Sequence, residues 1–231
     1  MADIERISLD DLMKFKLIVV GNISTGKSSI INRFVNETFV EDYQATIGLD
    51  FQSKNLTIHD QDGRLILYDT AGQEKVRSLI PMYIREAQII LLIYDISNRE
   101  SFESLPKWFS DILEVKTNEA VFVLVGNKID LENERQVSTE EGKRFAAEKN
   151  LIFQEVSAKN GMNIEELFNN QIFEAVYLKF KSEFDKRQKM EENGYEQDYN
   201  TNEIVENPNT NNNVKLEINN TNTKKKKKGC C

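Results

Sequence analysis

Two short runs of apolar residues constrain the fold of this chain more than any other feature. Residues 89–94 (IILLIY) and 120–125 (AVFVLV) each contain six consecutive apolar side chains with no alternating polar position. Continuous runs of this length are typical of strands that are covered on both faces, as in parallel sheets. Helix-forming residues lie between them, at 101–116. The two runs therefore predict neighbouring parallel strands joined by a helix.

Further strand patterns flank a turn signal. Asp62-Gly63 separates two β-rich segments, and this dipeptide is a strong indicator of a hairpin. The other predicted strands are 17–20, 49–58, 64–69 and 151–156. With the helices described next, this order predicts a three-layer α/β fold, in which a six-stranded, mostly parallel sheet has one antiparallel hairpin strand and helices on both faces.

The helix signals alternate with these strands along residues 14 to 190. Residues 27–35 read as a helix, and Ser138 with Glu141 forms a capping box that predicts a second helix through Lys149. A closing helix is predicted from four apolar residues that share one face, namely Ile172, Val176, Phe180 and Phe184. In folds of this class ligands bind at the carboxyl ends of the strands, so the loops there are the candidate sites.

The composition separates an acidic body from a basic tail. The 231 residues carry a net charge of −8, which argues against a nucleic-acid partner. Residues 193–223 contain 11 asparagines in 31 positions, and such a segment buries too little surface to offset its ordering entropy. Five lysines at 224–228 follow it. We therefore expect an N-terminal extension at 1–13, one folded domain at 14–190 and a disordered tail at 191–231.

The sequence also limits the cellular compartment. The longest apolar runs have six residues, whereas a helix that crosses a bilayer needs about 20. Residues 1–10 contain acidic side chains and no apolar stretch, so we expect no secretory signal and a reducing, cytosolic environment. Cys230 and Cys231 are the only cysteines, so no disulfide framework is expected.

Residues 21–28 match a phosphate-binding pattern. Their sequence, GNISTGKS, fits G-x-x-x-x-G-K-[ST] between a predicted strand and a predicted helix. Gly21 and Gly26 would let backbone N–H groups point inward and form a cradle for phosphate oxygens. Lys27 would reach the β- and γ-phosphates, and Ser28 would bind Mg²⁺. The alternative is an ordinary strand–helix turn, and the motif indicates a nucleoside phosphate without specifying the base.

Two segments that follow later strands are suited to recognising the base. They are Asn127-Lys128-Ile129-Asp130 and Ser157-Ala158-Lys159. The Asp130 carboxylate would accept both N1–H and the 2-amino group of guanine, whereas adenine presents an acceptor at N1. The second segment could place a backbone N–H near the base oxygen. Either segment alone also occurs in ordinary turns, but both together, behind a phosphate loop, predict a guanine nucleotide.

Further polar positions would complete a site for a metal ion and an attacking water. Asp69 is suited to hold Mg²⁺ through water, and Thr46 would complete the metal shell. Gly72 leaves its backbone N–H free to approach the γ-phosphate, and Gln73 could orient the attacking water. Without the phosphate loop, Asp69 would be read as a turn residue and Thr46 as a solvated loop hydroxyl.

Taken together, these segments resemble the five nucleotide motifs of the Ras superfamily, whose members have a G domain. Residues 47–51 and 77–85 resemble the two switch segments of Rab GTPases, closest to the Golgi-associated subgroup, and the resemblance covers residues 14 to 185. By this resemblance Phe39 would stack on guanine, Tyr43 would close over the phosphates and Gln73 would be catalytic. The implied nucleotide site is Ile23, Ser24, Thr25, Gly26, Lys27, Ser28, Ser29, Phe39, Tyr43, Thr46, Gly72, Asn127, Lys128, Asp130, Ser157, Ala158 and Lys159, with Ser28, Thr46 and Asp69 at the metal.

The resemblance also implies a surface that binds effectors. It would consist of Ile47, Phe51, Tyr68 and Tyr83. Tyr68 stands where Rab proteins usually have tryptophan, and Val76 where they usually have phenylalanine. Ile23 lies where the family mostly has a small or polar residue.

A membrane-attached switch in vesicle traffic is the function that the resemblance implies. Such a GTPase cycles between GTP- and GDP-bound states and is expected to be a monomer. Its partners would be a GTPase-activating protein, a guanine-nucleotide exchange factor, effectors, and a GDP-dissociation inhibitor or escort protein. Prenyl groups on Cys230 and Cys231, with Lys224 to Lys228, would attach it to the cytoplasmic face of Golgi or vesicle membranes, and a cytosolic pool is also expected.

Two other classes of function are weighed against this one. A P-loop kinase or ATPase is opposed by Asp130, and the sequence has no sign of a lid over an acceptor substrate. A GTP-binding scaffold with little turnover, in which Ile23 blocks catalysis, is opposed by Gln73. Single-turnover hydrolysis of GTP and ATP, with and without a partner extract, separates the three.

Overall fold

A six-stranded sheet forms the centre of the computed structural model, which describes residues 13–41, 46, 48–70 and 80–199. The strands are β1 (Met13–Val20), β2 (Leu49–Ile58), β3 (Gln61–Thr70), β4 (Ile89–Asp95), β5 (Val121–Asn127) and β6 (Ile152–Val156). They lie in the order β2-β3-β1-β4-β5-β6. β2 and β3 pair antiparallel, and the other four neighbouring pairs are parallel. The predicted mixed sheet is therefore confirmed.

Helices cover this sheet on two faces. They are α1 (Lys27–Asn36), α2 (Ile80–Glu86), α3 (Arg99–Glu103), α4 (Leu105–Val115), α5 (Thr139–Lys149) and α6 (Phe173–Tyr199), with a 3₁₀ helix at Ile129–Glu134 and a π-helix at Glu166–Ile172. The predicted capping box at the start of α5 is present. The predicted apolar face near the end of the chain also lies in the core, because Ile172, Val176 and Phe184 are buried and Phe180 packs against them.

Two apolar clusters, one on each face, explain the continuous apolar runs. Along β1, Leu17 and Val19 belong to the cluster that contains residues of α1 and α6. Ile18 and Val20 belong to the cluster that contains residues of α2, α4 and α5. Successive side chains of a strand point to opposite faces, so a strand covered on both faces needs apolar residues at every position. The sheet order then brings the carboxyl ends of β1, β4, β5 and β6 to one edge.

The hairpin between β2 and β3 turns at His59-Asp60, so the predicted turn at Asp62-Gly63 is wrong. Both turn residues have positive φ, 47° and 63°, as in a two-residue type I′ turn. This turn pairs all ten residues of β2 with β3. A turn at Asp62-Gly63 would leave the first half of β2 without a partner, and it would also remove Gly63 from its pairing with Met13 of β1.

The helix predicted at 101–116 is divided at Ser104 into α3 and α4. Pro106 lies in the first turn of α4. Proline has no N–H, and its ring conflicts with the carbonyl group four residues earlier, so a continuous helix through this position is unfavourable. In the first turn of a new helix proline is well tolerated. The prediction of one continuous helix is therefore wrong at Ser104, where α3 and α4 are separated.

The end of α6 extends the described structure beyond the predicted domain boundary. The chain divides into two units, Met1–Met190 and Glu191–Cys231, and α6 ends at Tyr199. Residues 191–199 are helical, although they were predicted to be disordered. They include Glu and Gln, which are good helix formers. They also continue an existing helix, and extending a helix costs less free energy than nucleating a new one. The tail from residue 200 onward lies outside the described residues. None of the described helices has the length and apolar composition of a bilayer span.

Replacing Ser138 with alanine should lower the free energy of unfolding. The Ser138 hydroxyl accepts a hydrogen bond from the Glu141 backbone N–H, and the Glu141 carboxylate accepts one from the Ser138 backbone N–H at 3.0 Å. Loss of the cap costs about 1 kcal/mol. Urea denaturation of Ser138→Ala measures this change, and Ser138→Thr, which retains a hydroxyl cap, should differ little from the parent. Equal stability of Ser138→Ala and the parent would contradict the assigned cap.

Candidate functional site

The loop between β1 and α1 adopts a conformation that requires glycine at two positions. Gly21 has a φ of +144°, and a Cβ there would lie 2.2 Å from the carbonyl oxygen of Ile93. Gly26 has a φ of +87°, and its Cβ would lie 2.2 Å from the amide nitrogen of Asn127. α1 begins at the next residue, and no side chain caps its N-terminus. The first N–H groups of α1 are thus arranged as in anion-binding helix termini.

Lys27 is buried inside this loop. Its ammonium group donates to the carbonyl oxygens of Asn22 at 2.7 Å and Gly21 at 3.1 Å. Burial lowers the pKa of Lys27 to about 8, and the negative charge of Asp69 opposes this shift. The sequence predicts that Lys27 contacts phosphates, and the structure holds its ammonium group on two carbonyl oxygens of the predicted phosphate loop.

Three oxygen-bearing side chains meet beside Lys27 in an arrangement that fits Mg²⁺. The hydroxyl oxygens of Ser28 and Thr46 lie 2.7 Å apart and share a hydrogen bond. Asp69 is buried, and its Oδ1 atom has no hydrogen-bond partner among the described residues. Burial raises the pKa of Asp69, while Ser28 and the charge of Lys27 lower it. Hydroxyl and carboxylate oxygens are the ligands that Mg²⁺ prefers, so these residues fit the predicted metal.

Asn127, the last residue of β5, joins the phosphate loop to the second base segment. Its side chain is 1% exposed. The amide nitrogen donates to the carbonyl oxygen of Thr25 at 2.9 Å, and the amide oxygen accepts from the backbone N–H of Ala158 at 3.2 Å. The sequence predicted that this segment directs an N–H to the base oxygen; in the structure the Ala158 N–H is directed to Asn127.

The remaining predicted base residues lie at the same edge of the sheet. Asp130 is exposed, and its carboxylate accepts a hydrogen bond from the Ser157 hydroxyl at 2.5 Å. Lys128 has a positive φ of 72°, and its ammonium group lies 2.7 Å from the Asp95 carboxylate. Asp95, at the end of β4, was not recognised from the sequence. The structure therefore brings Asp130 and Ser157 together and pairs Lys128 with a carboxylate.

Other predicted site residues differ in their surroundings. Ile23 is 49% exposed, Ser24 is exposed with a positive φ of 62°, and Ser29 is half-buried. Phe39 is partly buried against the apolar cluster of α1 and α6. The exposed Lys159 lies 3.8 Å from Glu41. The predicted residues outside the described part of the chain are Tyr43, Ile47, Gly72, Gln73, Cys230 and Cys231.

Three of the four predicted effector residues are aromatic residues on neighbouring elements, β2, β3 and α2. Phe51 of β2 and Tyr68 of β3 lie directly opposite each other in the antiparallel pair. The rings of Tyr68 and Tyr83 are tilted by 49° with centroids 4.9 Å apart. Phe51 is 71% exposed, which is unusual for a side chain of this size. Phe51 is therefore paired with Tyr68 across the strands, and Tyr68 packs against Tyr83 of α2.

Two side chains of the α3–α4 region bind the phosphate loop and were not assigned to the site from the sequence. The indole N–H of Trp108 and the hydroxyl of Ser104 donate to the side-chain oxygen of Asn22 at 2.8 and 3.0 Å. The Trp108 ring is also part of the buried core. Its polar contact spans 86 positions of sequence, so no local pattern could have revealed it.

A separate cavity of about 1020 Å³ lies between α1, β2 and the π-helix. Its lining includes Phe34, Lys54, His59 and Glu174, and it contains none of the predicted nucleotide residues. The predicted site is instead the cluster of loops at the carboxyl ends of the strands.

Comparison with known families agrees with this arrangement. A family model described as Ras family matches residues 16–177, which is more than half of the chain. The matched range contains the phosphate loop, Asp69 and both base segments, and it spans all six strands except the first residues of β1. The chain therefore belongs to the Ras family, and it is a small GTPase that binds guanine nucleotides and hydrolyses GTP.

Proposed function

We propose that this GTPase is a Rab-type switch that regulates vesicle traffic at a Golgi or transport-vesicle membrane. The observation that carries this proposal is the aromatic group of Phe51, Tyr68 and Tyr83. By the Rab resemblance, these positions form the surface that effectors bind. An exposed phenylalanine opposite a tyrosine that packs against a second tyrosine offers apolar and aromatic area to a partner, as protein interfaces often do.

The nucleotide site would use the residues that meet at the carboxyl edge of the sheet. The ammonium group of Lys27, now bound to two loop carbonyl groups, would donate to the β- and γ-phosphates. Ser28 and Thr46 would hold Mg²⁺ directly and Asp69 would hold it through water, which agrees with the unpaired Asp69 oxygen. When bound, Mg²⁺ neutralises charge on the phosphate oxygens.

The base would be recognised by the second group of residues. Asp130 would accept two hydrogen bonds from guanine, with Ser157 holding its carboxylate in place. Asn127, Lys128, Ala158 and Lys159 would complete the pocket, with Phe39 as the stacking residue. This assignment is supported by the position of Asp130 beside Ser157, which brings the two base segments into contact.

Hydrolysis would depend on a partner. Gln73, which lies outside the described residues, would orient the attacking water, and the Gly72 N–H would contact the γ-phosphate. None of Arg33, Arg64, Arg77 and Arg85 lies where the family would use an arginine from its own chain. A GTPase-activating protein that supplies one accelerates hydrolysis by about 10³ to 10⁵ in such systems. The γ-phosphate would order residues 39–47 and 72–85, and hydrolysis would release them.

Replacing Asp130 with asparagine should change the base preference. The amide no longer accepts two hydrogen bonds from guanine but can donate to the oxygen at position 2 of xanthine. Affinity for GDP should fall by about 10² to 10⁴, because each hydrogen bond to a charged group contributes about 1.5–3 kcal/mol. Affinity for xanthosine diphosphate should rise. Competition with a fluorescent nucleotide measures both values.

Asp60→Asn is the matched control for this substitution. Asp60 is an exposed turn residue with positive φ, a conformation that asparagine accepts, so GDP affinity should remain that of the parent. Comparable affinity of the unmodified protein for GDP and ADP would contradict the base assignment, as would an unchanged preference in Asp130→Asn.

Membrane attachment is the second testable part of the proposal. Two prenyl groups, or one with a basic patch, give stable anchoring, whereas one chain alone gives marginal binding. Each of Lys224 to Lys228 would add on the order of 1 kcal/mol to the free energy of binding to an anionic membrane leaflet. The double variant Cys230→Ser/Cys231→Ser should therefore move from Golgi or vesicle membranes to the cytosol, as measured by cell fractionation and imaging. In cells that express only this double variant, cargo transport that depends on the GTPase should fail.

The control variant keeps both cysteines. Asn211→Ser/Asn212→Ser changes two polar tail residues and should fractionate like the parent. If the cysteine variant remains on membranes as fully as the parent, lipid anchoring is wrong and the tail serves only as a spacer. If the anchored protein lies on membranes outside the secretory route and cargo transport is unaffected, the trafficking role is wrong.

A further inference from the structure

Arg33, in the last turn of α1, binds three backbone carbonyl groups from two different parts of the chain. Its Nε donates to Ala158 at 2.9 Å and its Nη2 to Lys159 at 2.6 Å. Its Nη1 donates to Glu37, just beyond the end of the same helix, at 2.7 Å. The guanidinium group is planar and rigid, so three simultaneous bonds fix the position of the carbonyl groups relative to the helix.

The same helix begins in the phosphate loop. Lys27 and Ser28 lie in the first turn of α1, and Arg33 follows Lys27 by six residues, or about 9 Å along the axis. The backbone N–H of Glu37 donates to the carbonyl oxygen of Arg33 at 3.1 Å and closes the helix end. α1 is therefore a rigid connection between the residues that would bind phosphate and the segment 157–159 that would border the base.

Two further contacts of segment 157–159 come from the end of β5 and the 3₁₀ helix that follows it. The Ser157 hydroxyl binds Asp130, and the Ala158 N–H binds Asn127, at the end of β5. Arg33 holds the segment from the side of α1. The segment thus has two supports. Asp130 and Asn127 hold it from the side of β5, where Asn127 also binds the Thr25 carbonyl oxygen of the phosphate loop, and Arg33 connects it to the same loop through α1.

We infer that Arg33 is a positioning residue for base recognition, which holds residues 158 and 159 at a fixed distance from the phosphate loop and thereby slows nucleotide release. This inference rests on the proposed nucleotide site. The base and the phosphates of one nucleotide are bound by different segments, so loss of the fixed distance weakens the two contacts jointly. The consequence is a faster dissociation of GDP and GTP.

A purely structural role for Arg33 makes a different prediction. If the side chain only caps α1 through Glu37, its loss lowers the free energy of unfolding but does not selectively affect the base. A positioning role affects dissociation of the nucleotide far more than hydrolysis of bound GTP, because the reacting phosphate lies at the other end of α1. The change in the nucleotide dissociation rate, divided by the change in the hydrolysis rate, therefore distinguishes a positioning role from a purely structural one.

The test compares Arg33→Met, Arg33→Lys and the control Arg64→Met in the full chain. Arg64 donates to the Ser53 hydroxyl on β2, away from both nucleotide segments. Each protein is loaded with fluorescent GDP, and release is followed after addition of excess GDP. Arg33→Met should release GDP about tenfold faster or more, since it loses charge-assisted hydrogen bonds. Arg33→Lys, which offers one ammonium group instead of a fork, should lie between Arg33→Met and the parent.

Single-turnover hydrolysis of bound GTP is measured on the same proteins. The change in the hydrolysis rate of the Arg33 variants should be several times smaller than the change in release, and Arg64→Met should match the parent in both. If Arg33→Met does not fold, Arg33→Lys carries the test. Release at the parental rate from the folded Arg33 variants would overturn the inference, as would equal changes in release and hydrolysis.

The outcome for Arg33 is distinguishable from the outcome for the proposed site. If Asp130→Asn leaves the base preference unchanged, the proposed base site is wrong. If Asp130→Asn changes the preference while the Arg33 variants release GDP normally, the site stands and only the role of Arg33 is wrong.

Discussion

The buried amide of Asn127 is the interaction on which the arrangement of the site depends. An amide has both donor and acceptor atoms, and here the nitrogen binds the phosphate loop while the oxygen binds the second base segment. In a buried environment these hydrogen bonds are stronger than in water, and an unpaired group would be costly. Gly26 is required beside it, because a Cβ there would overlap the amide nitrogen. One side chain thus fixes the spacing of two loops that belong to different strands.

The sheet determines where Asn127 lies. It is the last residue of β5, opposite Asp95 of β4 on one side and Val156 of β6 on the other. Its carbonyl oxygen accepts from the backbone N–H of Ile96 at 3.0 Å. β4 and β5 are buried along almost their whole length, so the polar residues Asp95 and Asn127 lie where the apolar runs end. The core therefore supports the site by holding the ends of parallel strands at one edge, where Arg33 and Trp108 add contacts from the surrounding helices.

The sequence predicts most of the fold because the relevant signals are local. Continuous apolar runs, the capping box of α5 and the glycine pattern of residues 21–28 each reflect a constraint within about ten residues of chain. The hairpin turn was misplaced because Asp62-Gly63 has the stronger local turn preference, whereas pairing along the full length of β2 favours His59-Asp60. The π-helix and the extension of α6 to Tyr199 have no local signal of comparable strength.

The site could be predicted only in part for a related reason. Ser28, Thr46 and Asp69 were grouped from motif positions, and the structure brings them together. Trp108, Ser104, Asp95 and Arg33 were not assigned a place in the site, because their contacts depend on distant segments that only the folded chain brings together. Motif spacing identifies the residues that would contact the nucleotide, but it does not identify the residues that hold these contact residues in position.

Hydrogen exchange on Asn127→Asp tests the coupling of the two loops most directly. Aspartate can still accept from the Ala158 N–H but cannot donate to the Thr25 carbonyl oxygen, and burial disfavours its charge. The amides of residues 21–28 and 157–159 should lose protection together, while Asn98→Asp, which keeps a capping carboxylate at the start of α3, should leave both segments unchanged. Unaltered protection of both segments in Asn127→Asp, or a loss confined to one of them, would contradict the account.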